Sequence, residues 1–194
     1  MSNTKQYKDD VLRAGGRNAY MSHFGIRTKK LQPMIDWYAT VFRAKVHHRN
    51  ESLAYMTFDD EHHRFLIYED PSAVAKTDGS TGVDHVGFGL ASIGDLVATY
   101  ERLKDEGITP FMPMNHRFTI SLYYYDPDGN EVELTVNNFP TKLECAAFVK
   151  SARMEEIGKP PYGYPFKADD LAELYHDGAD AEQLARIGIP TDMK

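Results

Sequence analysis

Two histidines in this chain repeat one local pattern. His23 opens the run His23-Phe24-Gly25 and His85 opens His85-Val86-Gly87, at an offset of 62 residues. A carboxylate, Glu133, follows in Glu131-Val132-Glu133-Leu134. Two imidazoles and one carboxylate on one face of a metal, with the opposite positions open, is the ligand set of non-haem Fe(II) oxygenases. Three protein ligands hold the metal, and the open positions let a substrate and O2 bind side by side. Gly25 and Gly87 omit the side chains that would crowd that place. A lone strand histidine is more often structural than a ligand. Two at matching positions of a repeat, with a carboxylate in the last strand, weigh more.

The elements that must position these groups follow from periodicity. The stretch 116–133 reads as two strands joined at Asp126-Pro127-Asp128-Gly129, where Pro presets φ and Gly accepts a positive one. Thr119, Ser121 and Tyr123 alternate with Phe118, Ile120 and Leu122; beyond the turn Glu131, Glu133, Thr135 and Asn137 alternate with Val132, Leu134 and Val136. Successive strand side chains point to opposite faces, so each strand has an apolar and a polar side. By itself this is an antiparallel hairpin with one wet face. If the polar faces line a cup, Glu133 reaches into it.

The rest of the chain favours the cup. A strand begins near Ser22, followed by Leu31, Met34, Ile35, Tyr38 and Val41 at helical spacing, with Pro33 tolerated in the first turn. Strands are expected at about 44–49, 53–58 and 63–68, and a loop over 71–81. The pattern then restarts with a strand at His85 and a helix carrying Ile93, Leu96, Val97, Tyr100 and Leu103, ended by Gly107. The same offset of 62 carries Leu31 to Ile93, Met34 to Leu96, Ile35 to Val97, Tyr38 to Tyr100 and Val41 to Leu103. Strand, helix and phase match together. The fold class is therefore α+β, with two βαβββ modules in one chain forming a shared, metal-containing cup.

This divides the chain into an N-terminal arm, 1–20, a domain over 21–139 with modules at about 21–70 and 82–139, and a C-terminal helical extension, 140–194. In the extension a helix is expected over Lys142–Arg153, an irregular crossing over 159–165, and a helix from Asp169 to Ile187. Their apolar faces must be buried, over the cup, at the far side of a sheet, or against another subunit.

Composition narrows the partners. A net charge of −7 with no basic run speaks against nucleic acid and anionic membrane. No apolar stretch approaches the roughly 20 residues needed to span a bilayer, and no signal-peptide core opens the chain. The single Cys145 cannot form an internal disulfide, which fits a reducing cytoplasm.

The residues resemble a known superfamily. The repeat with His23, His85 and Glu133 is similar to the vicinal oxygen chelate proteins: glyoxalases, fosfomycin- and bleomycin-resistance proteins and type I extradiol dioxygenases. His116, then Leu122-Tyr123, Asp126-Pro127-Asp128-Gly129 and Glu133, together with Glu61-His62-His63-Arg64-Phe65-Leu66, resemble the single-domain extradiol branch over about 22–139. Met114 departs from that branch's signature, and the spacing from His116 to Tyr123 is short for it. The resemblance implies that His23, His85 and Glu133 bind Fe(II), or Mn(II) in some members. It implies that His63 is the acid/base and that His116 and Tyr123 hydrogen-bond the substrate oxygens. An aromatic diol and O2 would be the substrates of ring cleavage beside the diol, and a homo-oligomer is expected. Histidine is in any case the side chain best matched to proton transfer near neutral pH.

Neighbouring residues compete for these roles. His62 is read as the outward neighbour of His63, His47 and His48 as strand surface, and His176 as solvated. Tyr124 should face the core and Tyr125 the rim. Glu69 is where a glyoxalase-type enzyme would want a fourth ligand, but it lies by the turn at Asp70-Pro71. Two other readings stay open: an isomerase or thiol transferase of the same fold, and a drug-sequestering protein without catalysis. The former has no stated need for His63, His116 and Tyr123 together; the latter needs no metal triad.

Overall fold

The computed structural model describes residues 19–77, 79–151 and 162–192. Most of the N-terminal arm and the expected segments 152–153 and 159–161 lie outside them. Nine strands form two sheets. The first holds β1 (Phe24–Thr28), β2 (Lys45–Arg49), β3 (Leu53–Thr57) and β4 (Phe65–Glu69), in the order β1-β4-β3-β2. The second holds β5 (His85–Gly89), β6 (Met112–Asn115), β7 (Thr119–Tyr125), β8 (Glu131–Asn137) and β9 (Tyr164–Pro165), in the order β5-β8-β7-β6-β9. Among the described residues the helices are α1 (Leu31–Phe42), α2 (Ile93–Asp105), α3 (Lys142–Val149), α4 (Ala168–His176) and α5 (Ala181–Ala185).

The helical spacing does what it should. Leu31, Met34, Ile35, Tyr38 and Val41 are the buried residues of α1, and Leu96, Val97, Tyr100 and Leu103 those of α2. Most of each set faces its own sheet, but Val41 of α1 joins the core of α2 and the second sheet, so the two modules share packing. Arg43, in the left-handed region at φ 51°, closes α1. Ser92 caps α2, its hydroxyl accepting from the Asp95 amide, and Gly107 turns the chain away at φ 75°.

The repeat is visible in the register. β1 runs parallel to β4 with Gly25 opposite Leu66, and β5 runs parallel to β8 with Gly87 opposite Glu133. The duplicated glycines thus make Leu66 the counterpart of Glu133. The hairpin forms as expected: β7 and β8 are antiparallel, Tyr123 lies opposite Glu133, and Gly129 takes φ 80° in the turn. Its polar face is drier than the alternation implies. Thr119 and Ser121 are buried, and the Ser121 and Thr135 hydroxyls satisfy one another across the strands at 2.9 Å.

Three parts of the tail differ from the periodicity, the first being that α3 ends at Val149 with Lys150 as its cap. Tyr164–Pro165 is not irregular but pairs with Met114–Asn115 as the last strand of the second sheet. The single helix expected over 169–187 is two, because Gly178 adopts φ 80° and Asp180 starts a new capping box with Gln183. Leu171, Ala172, Leu184 and Ile187 join the core of α2 and the second sheet. Tyr100 donates to Asp169 at 2.5 Å, and Lys104 pairs with the same carboxylate. Helices α4 and α5 therefore extend the core on the helical side, away from the polar face that carries His85 and Glu133, whereas α3 lies against Phe118 and Asn137. Among the described residues no helix is long and apolar enough to cross a membrane.

Candidate functional site

His85 and Glu133 come from neighbouring parallel strands. His85 opens β5, Glu133 sits mid-β8, and the imidazole Nε2 stands 3.3 Å from Glu133 Oε2. Gly87 makes this approach possible: a Cβ there would lie 2.7 Å from that same oxygen. The glycine clears space for the carboxylate, whereas a Cβ at Gly25 would meet only the Leu66 carbonyl at 3.9 Å.

The other nitrogen of His85 is held by a residue the sequence reading missed. Nδ1 lies 2.8 Å from Asp84 Oδ2, so it carries the proton and donates it to that carboxylate. In a neutral ring, Nε2 then turns a lone pair toward the Glu133 carboxylate. Two electron-rich atoms at this distance repel unless a proton or a cation lies between them. The donor set, one imidazole and one carboxylate with an oriented second nitrogen, fits a divalent metal. The only sequence signal was the carboxylate immediately before the histidine.

Tyr123 lies against this pair. Its ring centroid is 5.2 Å from that of His85, and its hydroxyl is 3.1 Å from His116 Nε2. Burial, and then the Glu133 carboxylate, push the Tyr123 hydroxyl well above the usual phenol range, so it is a neutral donor at all ordinary pH. His116 is held from behind, its Nδ1 bonded to the carbonyl of Tyr162 in the tail.

The first module supplies the second cluster. His23 is exposed at the start of β1, and its ring rests on that of His63 at 4.2 Å. His63 also meets Tyr55 edge-on at 4.8 Å. Burial, with the charges of His23 and His62, lowers its pKa, which favours the neutral base. Of the adjacent pair, His63 is the one beside His23, while the His62 side chain is 66% exposed next to Glu61. Among the described residues no three of His, Cys, Asp and Glu are already drawn together as a metal cluster. His23 leans toward His63, and His85 and Glu133 form a separate pair.

The remaining candidates sort by contact. His47 bonds the His62 carbonyl on the surface, and His176 pairs with Glu101. Tyr124 is fully buried on the core side, and Tyr125 is exposed, stacked on Phe111 at 3.8 Å. Glu69 is exposed at the end of β4, opposite Thr28. A cleft of about 260 Å³ between the modules is lined by Gly25, Arg27, Asp84, His85 and Glu131. A larger one, about 730 Å³, touches His23 and Gly87 but is otherwise walled mainly by apolar and aromatic groups such as Phe24, Phe42, Phe58 and Phe88.

A family model described as the glyoxalase/bleomycin resistance protein/dioxygenase superfamily matches residues 20–134. The chain belongs to this superfamily. Two curated relatives come from Rhodococcus globerulus. Biphenyl-2,3-diol 1,2-dioxygenase 2 is 40% identical, over 84% of this chain and 85% of its own length. Biphenyl-2,3-diol 1,2-dioxygenase 3 is 36% identical, over 84% and 86%. Among solved structures, a glyoxalase/bleomycin resistance protein/dioxygenase domain from Frankia sp. EAN1pec superposes with a TM-score of 0.55 at 19% identity, covering 66% of this chain and 98% of that one. At that identity the likeness concerns the fold, and as a superfamily member this chain has the expected two-module α+β architecture.

Proposed function

We propose that this protein is an extradiol ring-cleaving dioxygenase, acting on a catechol-type aromatic diol with O2. The observation that carries the reading is Tyr123, whose neutral hydroxyl stands between His116 and the His85–Glu133 pair. The two relatives named as biphenyl-2,3-diol dioxygenases support it and point to a diol bearing a second ring.

In this reading His85, Glu133 and His23 hold Fe(II), with Mn(II) the alternative metal, and residues 21–139 form the catalytic domain. When bound, the metal brings diol and O2 together and passes electrons between them. The chain's own groups do the rest. Asp84 keeps His85 Nδ1 protonated and leaves Nε2 as ligand. His63, held neutral by burial, accepts a proton from the substrate hydroxyl and returns it later in the cycle. Tyr123 and His116 hydrogen-bond the substrate oxygens and fix the ring's orientation. The product is of the hydroxymuconic semialdehyde type, a ring-opened hydroxydienoate ending in an aldehyde or, from a diol bearing a second ring beside it, a ketone, with both atoms of O2 incorporated.

The runner-up, an isomerase or thiol transferase of the same fold, would draw a fourth ligand from the first module. The register gives Leu66 at the position equivalent to Glu133. A drug-sequestering protein would have no use for an oriented His85–Glu133 pair. To test the reading, the protein is loaded anaerobically with Fe(II), mixed with 2,3-dihydroxybiphenyl or catechol, and exposed to air. A yellow product with stoichiometric O2 uptake is expected; stoichiometric iron without O2 uptake on any catechol sinks it.

A further inference from the structure

Asn115 is fully buried one residue before His116, and every polar atom of its side chain is used. Its amide nitrogen donates to the carbonyls of Ala185 and Ile187, at 2.9 and 2.8 Å, at the C-terminal end of α5. Its oxygen accepts from the Arg117 backbone N–H at 2.8 Å and from Asn138 at 3.4 Å. Arg117 stands at φ 67°, a conformation costly for a side-chain-bearing residue, so the bond from its amide holds a bent loop. One side chain thus pins both flanks of His116 and fastens them to the tail.

The tail answers on the other side. Tyr164 pairs with Asn115 in the β6–β9 ladder, which brings Gly163 against the loop. At Gly163, φ is +155°, and a Cβ would lie 2.7 Å from the Asn115 carbonyl oxygen and 3.1 Å from His116 Nδ1. Only glycine allows the chain this close, and the approach places the Tyr162 carbonyl on His116 Nδ1.

A carbonyl oxygen only accepts, so the nitrogen it meets must carry the proton. We infer that the C-terminal extension, through Asn115, Gly163 and the Tyr162 carbonyl, sets the tautomer of His116, with the proton on Nδ1 and the lone pair on Nε2. Without substrate, Nε2 then accepts from Tyr123; when a diol is bound, that same lone pair and the Tyr123 hydroxyl are the groups left to meet its oxygens. Asn115 and Gly163 are positioning residues, acting through His116. The consequence for turnover rests on the proposed dioxygenase reading; the tautomer does not.

The test separates the two. Nitrogen-15-labelled histidine in the full-length, metal-free protein reports the tautomer of each ring by long-range proton–nitrogen correlation, with His116→Gln supplying the assignment. His116 is expected as the Nδ1–H form. Gly163→Ala and Asn115→Ala should move it toward Nε2–H, and lower kcat at least about 10-fold while iron content and KM stay within about 2-fold. An Nε2–H ring in the unaltered protein overturns the inference, as does a Gly163→Ala protein that keeps the Nδ1–H form. If Asn115→Ala does not fold, those two measurements still decide. A shifted tautomer with unchanged kcat upholds the inference and removes His116 from ring cleavage.

Discussion

The Tyr38 hydroxyl donates to Asp126 Oδ2 at 3.2 Å, joining the helix of the first module to the hairpin turn of the second. Both residues are buried, at 1% and 4% exposure. The same carboxylate accepts from the Asp128 and Asn130 amides and from the Asn130 side chain, so one group organises the turn between Tyr123 and Glu133. Removing the hydroxyl with Tyr38→Phe leaves a buried carboxylate short of a donor. The expected loss is about 1–3 kcal/mol, read as a lower Tm and urea midpoint. An unchanged midpoint would show that the tie contributes nothing.

Asp126 also makes a pH prediction. Burial raises its carboxyl above the usual carboxylate range, outweighing the hydrogen bonds that pull it down. A carboxyl whose folded pKa is raised favours folding in acid, and this contribution is lost as pH rises through the folded value. An amide at this position does not titrate. The stability of Asp126→Asn relative to the unaltered protein should therefore rise from about pH 4 upward, measured by denaturant titration. A flat difference across that window contradicts the raised value.

Ligand substitutions separate the metal site from the fold. His85→Ala, Glu133→Ala and His23→Ala each remove one of three proposed ligands, so iron content and activity should collapse while circular dichroism is retained. Stoichiometric iron in all three variants would place the metal elsewhere.

His63→Phe keeps a flat ring against His23 and Tyr55 but cannot carry a proton. Iron and substrate binding should persist while turnover falls on the order of 10²-fold or more, as for a lost acid/base group. Near-normal turnover would return the role to His62.

Tyr124 gives a prediction of opposite sign. Its hydroxyl is buried and has no hydrogen-bond partner among the described residues. Tyr124→Phe removes an unsatisfied group whose burial costs about 1–3 kcal/mol, so Tm should stay level or rise. A clear fall would mean the hydroxyl has a partner such as a bound water.

Much of this architecture was legible in the sequence because periodicity records burial. The faces of α1 and α2, the alternation of β7 and β8, and the repeated His-x-Gly strands are all statements about which side chains leave water. What stayed hidden depends on contacts between distant backbones. β6 was expected only as the strand after the helix of the second βαβββ module, without bounds, because Met112–Asn115 is too short a run to show alternation. The break between α4 and α5 was written in Gly178 and the capping residue Asp180, but the apolar spacing on either side masked it. Asp84 was readable only as a carboxylate beside a histidine. The bond from His116 to a backbone carbonyl 46 positions away leaves no trace in residue type. The candidate site residues were chosen by type and symmetry; the structure draws His85 toward Glu133 and His23 toward His63 as two separate pairs.

The two sheets end differently. The outer edge of the second is covered by Tyr164–Pro165, whereas β2 closes the first with all five residues exposed. A bare edge invites strand-by-strand growth into aggregates, yet this one carries Lys45, His47, His48 and Arg49, with a break in register between Val46 and His48. Lys45 and Arg49 repel a second copy of themselves, and an irregular ladder cannot be extended cleanly. The chain therefore guards one margin by covering it and the other by charge, so the charged margin is the one where high salt would weaken the safeguard against sticking.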